Sequence, residues 1–146
     1  MGSLNTLTGD RVYLDANLFI YAMEGLPPVV ARLTALFQRF DRGELHAVTS
    51  ELTLAEVLVK PLRDGRLDVR DQYELMIRSS NALTVAPVSR EVLLAAASLR
   101  ATSNLKLPDA IHAATAFAAA CTTYLTNDHQ FTTIANLPVL LLPNLS

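Results

Sequence analysis

Residues 12–21 read VYLDANLFIY. Val12, Tyr13 and Leu14 begin as a buried β-strand does, and Asp15 follows at once. Asn17 comes two residues later, before Leu18, Phe19 and Ile20 return to apolar chemistry. A carboxylate where a strand gives way to a helix has two readings. It caps the helix through its side-chain oxygen. Or it is one ligand of a site beyond the carboxyl ends of a sheet, where open α/β folds collect their ligands. The choice depends on what the rest of the chain places beside it.

The same strand-then-helix rhythm runs outward from this stretch. RVYLD, LHAVTS, LTVAPV, TTYLT and PVLLLP are short apolar runs bounded by turn residues, as buried parallel strands should be. Between them lie helical spacings. Asn17 is expected to cap a helical turn that Gly25 ends. Pro27 and Pro28 open a longer helix carrying Val29, Val30, Leu33, Leu36, Phe37 and Phe40, which Gly43 stops. Ser50 caps a helix with Leu52, Leu54, Val57, Leu58 and Leu62, expected to break near Pro61 and Gly65. Residues 67–79 form a polar-faced helix. Ser89 caps another with Val92, Leu93, Ala96 and Leu99, and Pro108 starts an alanine-rich one. This alternation predicts a three-layer α/β domain with a mainly parallel sheet.

A length of 146 residues suits one compact domain spanning 1–146, and a 51% hydrophobic, 18% charged composition excludes disorder of the whole chain. The net charge of −2 is no general nucleic-acid footprint. Cys121 is the sole cysteine, so no internal disulfide forms, and its alanine-rich surroundings predict a buried, inert thiol. The opening MGSLNTLTGD lacks the regions of a signal peptide. Gly2 and Thr6 match the N-myristoylation pattern, which is too short to carry that reading. AIHAATAFAAAC is too short to span a bilayer. A soluble cytoplasmic protein without a membrane association is expected.

Asp15 has three counterparts. Asp128 follows the strand TTYLT, Glu56 lies on the helix after the second strand, and Asp109 lies in the first turn of the alanine-rich helix. They are far apart in sequence, so only the fold could gather them. Each has a bland reading: Asp15, Asp109 and Asp128 as caps or dipole partners, Glu56 as an i,i+4 pair with Lys60. If gathered, four carboxylates repel one another unless cations lie between them. Hard oxygen ligands favour Mg²⁺ or Mn²⁺. Two such ions form the usual clamp for phosphodiester displacement. No His/Cys cluster favours zinc and no glycine-rich loop cradles a phosphate. Arg39, Arg42, Lys60, Arg63 and Arg66 cluster in sequence, either as a phosphate-facing set or as an ordinary solvated surface.

These four acids, in order and in these settings, resemble the PIN-domain ribonucleases, especially the VapC-type toxins of bacterial and archaeal toxin–antitoxin pairs. The matching stretches are VYLDANLFIYA for Asp15, SELTLAE for Ser50 and Glu56, LPDAIHAATA for Asp109, and TNDHQF for Thr126, Asp128 and Phe131. PVLLLP fits the family's final strand. The resemblance implies a three-layer α/β/α PIN-like, Rossmann-like domain with a mainly parallel sheet of four to five strands. It implies a metal-dependent endoribonuclease in which Asp15, Glu56, Asp109 and Asp128 hold Mg²⁺ or Mn²⁺. A metal-activated water would attack the scissile phosphate, leaving a 5′-phosphate and a 3′-hydroxyl. Asn17, Ser50, Thr126 and Asn127 would orient ligands or waters. Glu51 rivals Glu56 but sits where a dipole role suffices, and His112 reads as a packed or supporting histidine rather than a base. The resemblance further implies an RNA substrate, a small antitoxin partner and a homodimer, for which residues 29–40 and 52–62 offer apolar faces. Three other readings stay open. A noncatalytic PIN scaffold would bind RNA or protein, and a PIN nuclease of RNA processing would have no antitoxin. A receiver-like phosphoacceptor lacks its late lysine, since none follows Lys106.

Overall fold

Five short strands lie side by side in the order β3-β2-β1-β4-β5, every neighbouring pair parallel. They are β1 (Arg11–Leu14), β2 (His46–Ser50), β3 (Leu83–Ala86), β4 (Thr123–Thr126) and β5 (Val139–Leu141). The structure is a computed structural model that describes residues 10–25, 27 and 29–142. Gly2, Thr6, Pro28 and Pro143 lie outside the described residues.

Six helices connect the strands: α1 (Ala16–Glu24), α2 (Val29–Asp41), α3 (Glu51–Arg63), α4 (Leu67–Met76), α5 (Arg90–Ala101) and α6 (Leu107–Ala118). Side-chain alternation along the strands separates two cores. Val12, Leu14, Ala47 and Leu125 pack with Leu18, Phe19, Leu33, Leu36, Phe40, Val57 and Tyr73, from α1 to α4. Tyr13, Val48 and Tyr124 pack with Val92, Ala96, Ala110, Ala113 and Ala114, from α5 and α6. The layers are therefore helix, sheet, helix. Each buried aliphatic or aromatic side chain contributes roughly 1.5–3 kcal/mol to this arrangement.

The local rules account for most boundaries. Gly25 ends α1 in the left-handed region at φ 66°, and its N–H bonds the Tyr21 carbonyl. Gly43, at φ 76°, turns the chain after α2 towards β2. Three expectations need correction. The cap of α1 is Asp15, not Asn17, which instead donates its backbone N–H to the Asp15 carboxylate at 3.1 Å. Helix α3 does not break at Pro61 but runs through it to Arg63. The lost bond falls in the last turn, and the buried Pro61 ring contributes apolar surface in return. Helix α4 stops at Met76 rather than 79, because Ile77 leaves helical geometry and is buried beneath it.

The chain leaves β1 to build β2 and β3 on one side and returns to place β4 and β5 on the other. The carboxyl ends of β1 and β4 thus border the crevice where an open α/β sheet switches direction. No helix among the described residues is long and apolar enough to cross a membrane.

Candidate functional site

Asp15 follows β1 directly and is 7% exposed. One oxygen, Oδ1, accepts the Asn17 N–H; the other, Oδ2, accepts the Thr126 hydroxyl at 3.0 Å. Thr126 ends β4 and is fully buried, and its Oγ1 in turn accepts the Asp128 backbone N–H at 3.1 Å. One hydroxyl therefore ties the ends of the two central strands together. Burial raises the Asp15 carboxyl above its usual range, and the hydrogen bond from Thr126 is the largest opposing influence.

Asp128 caps the short 3-10 helix His129–Thr133, its Oδ1 accepting the Gln130 N–H at 2.9 Å. Asp109 stands in the first turn of α6 and is half-buried. Its carboxyl is also raised, first by burial and then by the negative charge of Asp128, with Glu56 adding to it. Glu56 reaches over from α3, and its Oε1 lies 2.6 Å from His112 Nε2. The fold thus brings Asp128 and Glu56 into the electric field of Asp109, while Thr126 joins Asp15 to Asp128. Among the described residues, no three His, Cys, Asp or Glu side chains meet as a group able to grip one ion.

The remaining expected residues divide. Thr126 touches Asp15 directly, as described above. Asn17 is exposed and contributes through its backbone. Ser50 is buried and occupied as the cap of α3, accepting the Leu52 N–H at 3.0 Å. Asn127 is exposed and donates to the Tyr21 hydroxyl at 2.7 Å. Glu51 lines a different cavity, of about 340 Å³, together with Leu54, Glu74 and Arg78. Of the basic cluster, Arg39 and Arg42 reach Glu44 and Arg66 reaches Asp68, while Lys60 and Arg63 are exposed at the end of α3. The apolar face of α2 is taken up by the core through Leu33, Leu36 and Phe40; on α3, Val59 and Leu62 remain half exposed. Cys121 is half-buried, and burial pushes its thiol up to about 11, which leaves it protonated and unreactive at neutral pH.

Two buried tyrosines outside the expected set lie close enough to the acids to feel their charge. Tyr13 on β1 and Tyr124 on β4 are register partners, and their rings stack 5.0 Å apart, 10° from parallel. Tyr13 hydrogen bonds His112 Nδ1 at 2.6 Å. The Tyr124 hydroxyl is fully buried and has no hydrogen-bond partner. Burial first, then the charges of Tyr13, Asp15, Asp109 and Glu56, hold it firmly protonated. The available signal was a tyrosine inside each of two otherwise apolar strands, whose hydroxyl usually finds a partner when buried, as that of Tyr13 does and that of Tyr124 does not.

The donor set suits a divalent cation. It is all carboxylate oxygen, and the Asp109 carboxyl is raised by burial and then by Asp128 and Glu56, with His112 and Lys106 opposing. Mg²⁺ is commonly held through one or two carboxylates, with waters completing its shell, so a three-armed protein chelate is not required.

The PIN domain model matches residues 12–137. No curated protein matches the chain. Among solved structures, the chain resembles VapBC2 from Rickettsia felis bound to a promoter DNA fragment, with a TM-score of 0.71 and 19% identity over 90% of this chain and 98% of that one. A toxin–antitoxin complex from Klebsiella pneumoniae gives 0.64 and 21%, over 89% and 95%. The sarcin–ricin loop cleaving toxin VapC20 of Mycobacterium tuberculosis gives 0.66 and 12%, over 83% and 92%. At these identities the likeness establishes the fold.

Proposed function

The chain belongs to the PIN domain family, and from that premise we propose that it is a divalent-metal-dependent endoribonuclease and the toxin of a toxin–antitoxin pair, residues 1–146 forming one such domain. The observation that carries the reading is that Thr126 joins Asp15 to Asp128 at the ends of β1 and β4, while the Asp109 carboxyl is raised first by burial and then by the charges of Asp128 and Glu56. Among the described residues, the hydrogen bonds to these acids come from Thr126, His112 and backbone N–H groups, and Mg²⁺ or Mn²⁺ is the chemistry that would balance their charge. The toxin assignment takes support from similar structures described as VapBC and toxin–antitoxin complexes, and the RNA substrate from the one described as cleaving the sarcin–ricin loop. A small antitoxin, a homodimeric assembly and a cytoplasmic location complete the proposal.

The four acids would hold the ions, directly or through water. Bound there, divalent ions supply nucleophilic hydroxide at neutral pH and neutralise the charge that develops on the phosphate. The protein's part is orientation. Thr126 and the Asn17 N–H hold the Asp15 carboxylate from both oxygens, so its remaining lone pairs point in a set direction. Asp128 is held from its own N–H and from Gln130, which aims its carboxylate without using up its second oxygen. The stacked Tyr13 and Tyr124 rings are fully buried and brace the neighbouring strands β1 and β4 against each other.

The test is cleavage of a panel of structured and unstructured RNAs with Mg²⁺ or Mn²⁺ against EDTA. The native chain is compared with Asp15→Asn and Asp109→Asn. Metal-dependent cutting by the native chain, and little by either variant, is expected. Equal activity in all three would remove the proposed site. Inactivity of the native chain on every RNA would favour the noncatalytic scaffold. Co-purification with a small partner would support the toxin assignment over a role in RNA processing.

A further inference from the structure

We propose that His112 is a positioning residue for Glu56, and that Tyr13 sets the imidazole for that task. The role rests on the metal-nuclease reading for its consequence, while its geometry stands alone.

Three elements meet in this unit. Glu56 stands on α3, His112 on α6 and Tyr13 on β1. The Glu56 side chain is one-third exposed at 34%, whereas that of His112 is buried at 3%. A glutamate at a crevice rim has three rotatable bonds, and holding it still costs rotamer entropy. The imidazole supplies the restraint, with Nε2 2.6 Å from Oε1 and Nδ1 2.6 Å from the Tyr13 hydroxyl. Tyr13 is fully buried, and its ring meets the imidazole edge-on at 5.8 Å and 65°.

The polarity of the chain follows from what each group can do. A carboxylate only accepts, so Nε2 carries the hydrogen towards Glu56. On the other side of the ring, Nδ1 pairs with the Tyr13 hydroxyl. Every donor in the row has an acceptor, and the row ends on a strand in the middle of the sheet. Glu56 Oε1 is fixed by His112, so Oε2 is the oxygen left for a ligand. His112 also lies one helical turn beyond Asp109, so α6 presents an acid and the support for a second acid on one face. A buried histidine needs both ring nitrogens satisfied in any case; what marks this one is that one of its two partners is an acid at the crevice.

The variants separate the two nitrogens. His112→Gln places an amide N–H where Nε2 stood and keeps the donor to Glu56. His112→Asn keeps an acceptor near Tyr13 but falls short of Glu56. Mn²⁺ affinity by electron paramagnetic resonance, melting temperature, and ¹⁵N NMR of the histidines would be measured on the full chain. Removing a supporting hydrogen bond of this kind usually costs about 10–100-fold in metal affinity. His112→Asn and His112→Ala should lose that much, His112→Gln should stay within about threefold of the native chain, and Tyr13→Phe should fall between. Native affinity in His112→Asn, or a His112→Gln as weak as His112→Ala at equal melting temperature, would overturn the proposal. NMR separates it from the parent reading. A His112 resonance with its hydrogen on Nε2, shifted by Glu56→Gln, is expected with or without metal. If the native chain binds no Mn²⁺, the nuclease reading falls, and the absence of that resonance would bring down the positioning role as well.

Discussion

Carboxylates occupy two opposite settings in this molecule. On the surface, Glu44 lies between Arg39 and Arg42, and Asp68 is bonded to Arg66. The guanidinium hydrogen bonds hold both carboxyls below their ordinary range, Asp68 at about 2. In the β1–β4 crevice, Asp15 and Asp109 are pushed the other way by burial, and for Asp109 by acidic neighbours too. The surface acids are already satisfied and, being solvated, add little to stability. The crevice acids are held in place by Thr126, backbone N–H groups and the fold itself. Burial makes their charge costly. Position relative to the sheet, and not residue type, separates a solubilising carboxylate from one able to do chemistry.

The comparison can be broken most directly at the crevice. Asp15→Asn and Asp109→Asn should each cut metal-dependent RNA cleavage by more than about 100-fold, while Glu44→Gln and Asp68→Asn leave it unchanged. Initial rates on one RNA substrate decide this, and a comparable loss in the surface variants would erase the distinction. Thr126→Val removes the donor to Asp15 and the acceptor for the Asp128 N–H, and should lower the rate by about 10–100-fold with the fold retained by circular dichroism.

The pH dependence has opposite signs in the two regions. Asp15 and Asp109 have folded pKa values raised above the unfolded 3.8. The folded state therefore keeps protons that the unfolded chain releases, and these two acids make stability fall as pH rises from near 4 through the folded values. Glu44 and Asp68 are depressed, so their small contribution is present at neutral pH and is lost on acidification. Urea denaturation in EDTA from pH 4 to 7 should show the first trend, and Asp109→Asn should flatten it. Saturating Mg²⁺ should raise the midpoint at pH 7 in the native chain more than in Asp109→Asn.

A backbone control gives the scale of a local effect. Ala120 follows α6 in the left-handed region at φ 54°, and the Cys121 N–H closes the helix on the Ala116 carbonyl. Ala120→Gly should therefore stabilise the chain by about 1 kcal/mol without changing the metal dependence. Smallest of all, Glu44→Gln should shift the melting temperature only at low salt, since its arginine pairs lie at the surface, where salt screens them.

Much of this was legible before folding. Short apolar strands separated by helical spacings announce a parallel α/β sheet, because each strand buried on both faces must be apolar throughout. The four acids stood out because each follows or flanks such an element. Local chemistry was less decisive at the junctions. Asn17 and Asp15 are both competent caps, and Asp15 takes the role because the strand ends one residue before the helix begins. Pro61 reads as a breaker, yet at the end of a helix one missing N–H costs little and the buried ring adds packing.

Composition and spacing thus determined the fold class and the short set of acids worth watching, since both follow from which residues must leave water and which must stay near it. Only the tertiary structure decided that β1 and β4 lie side by side and in register. That adjacency joins Thr126 to Asp15, stacks Tyr13 on Tyr124, and carries Tyr13 to His112 and so to Glu56. The physical reason is range: periodicity is set by neighbours a few residues away, whereas these bonds span from 56 to 111 residues and exist only once the sheet has closed.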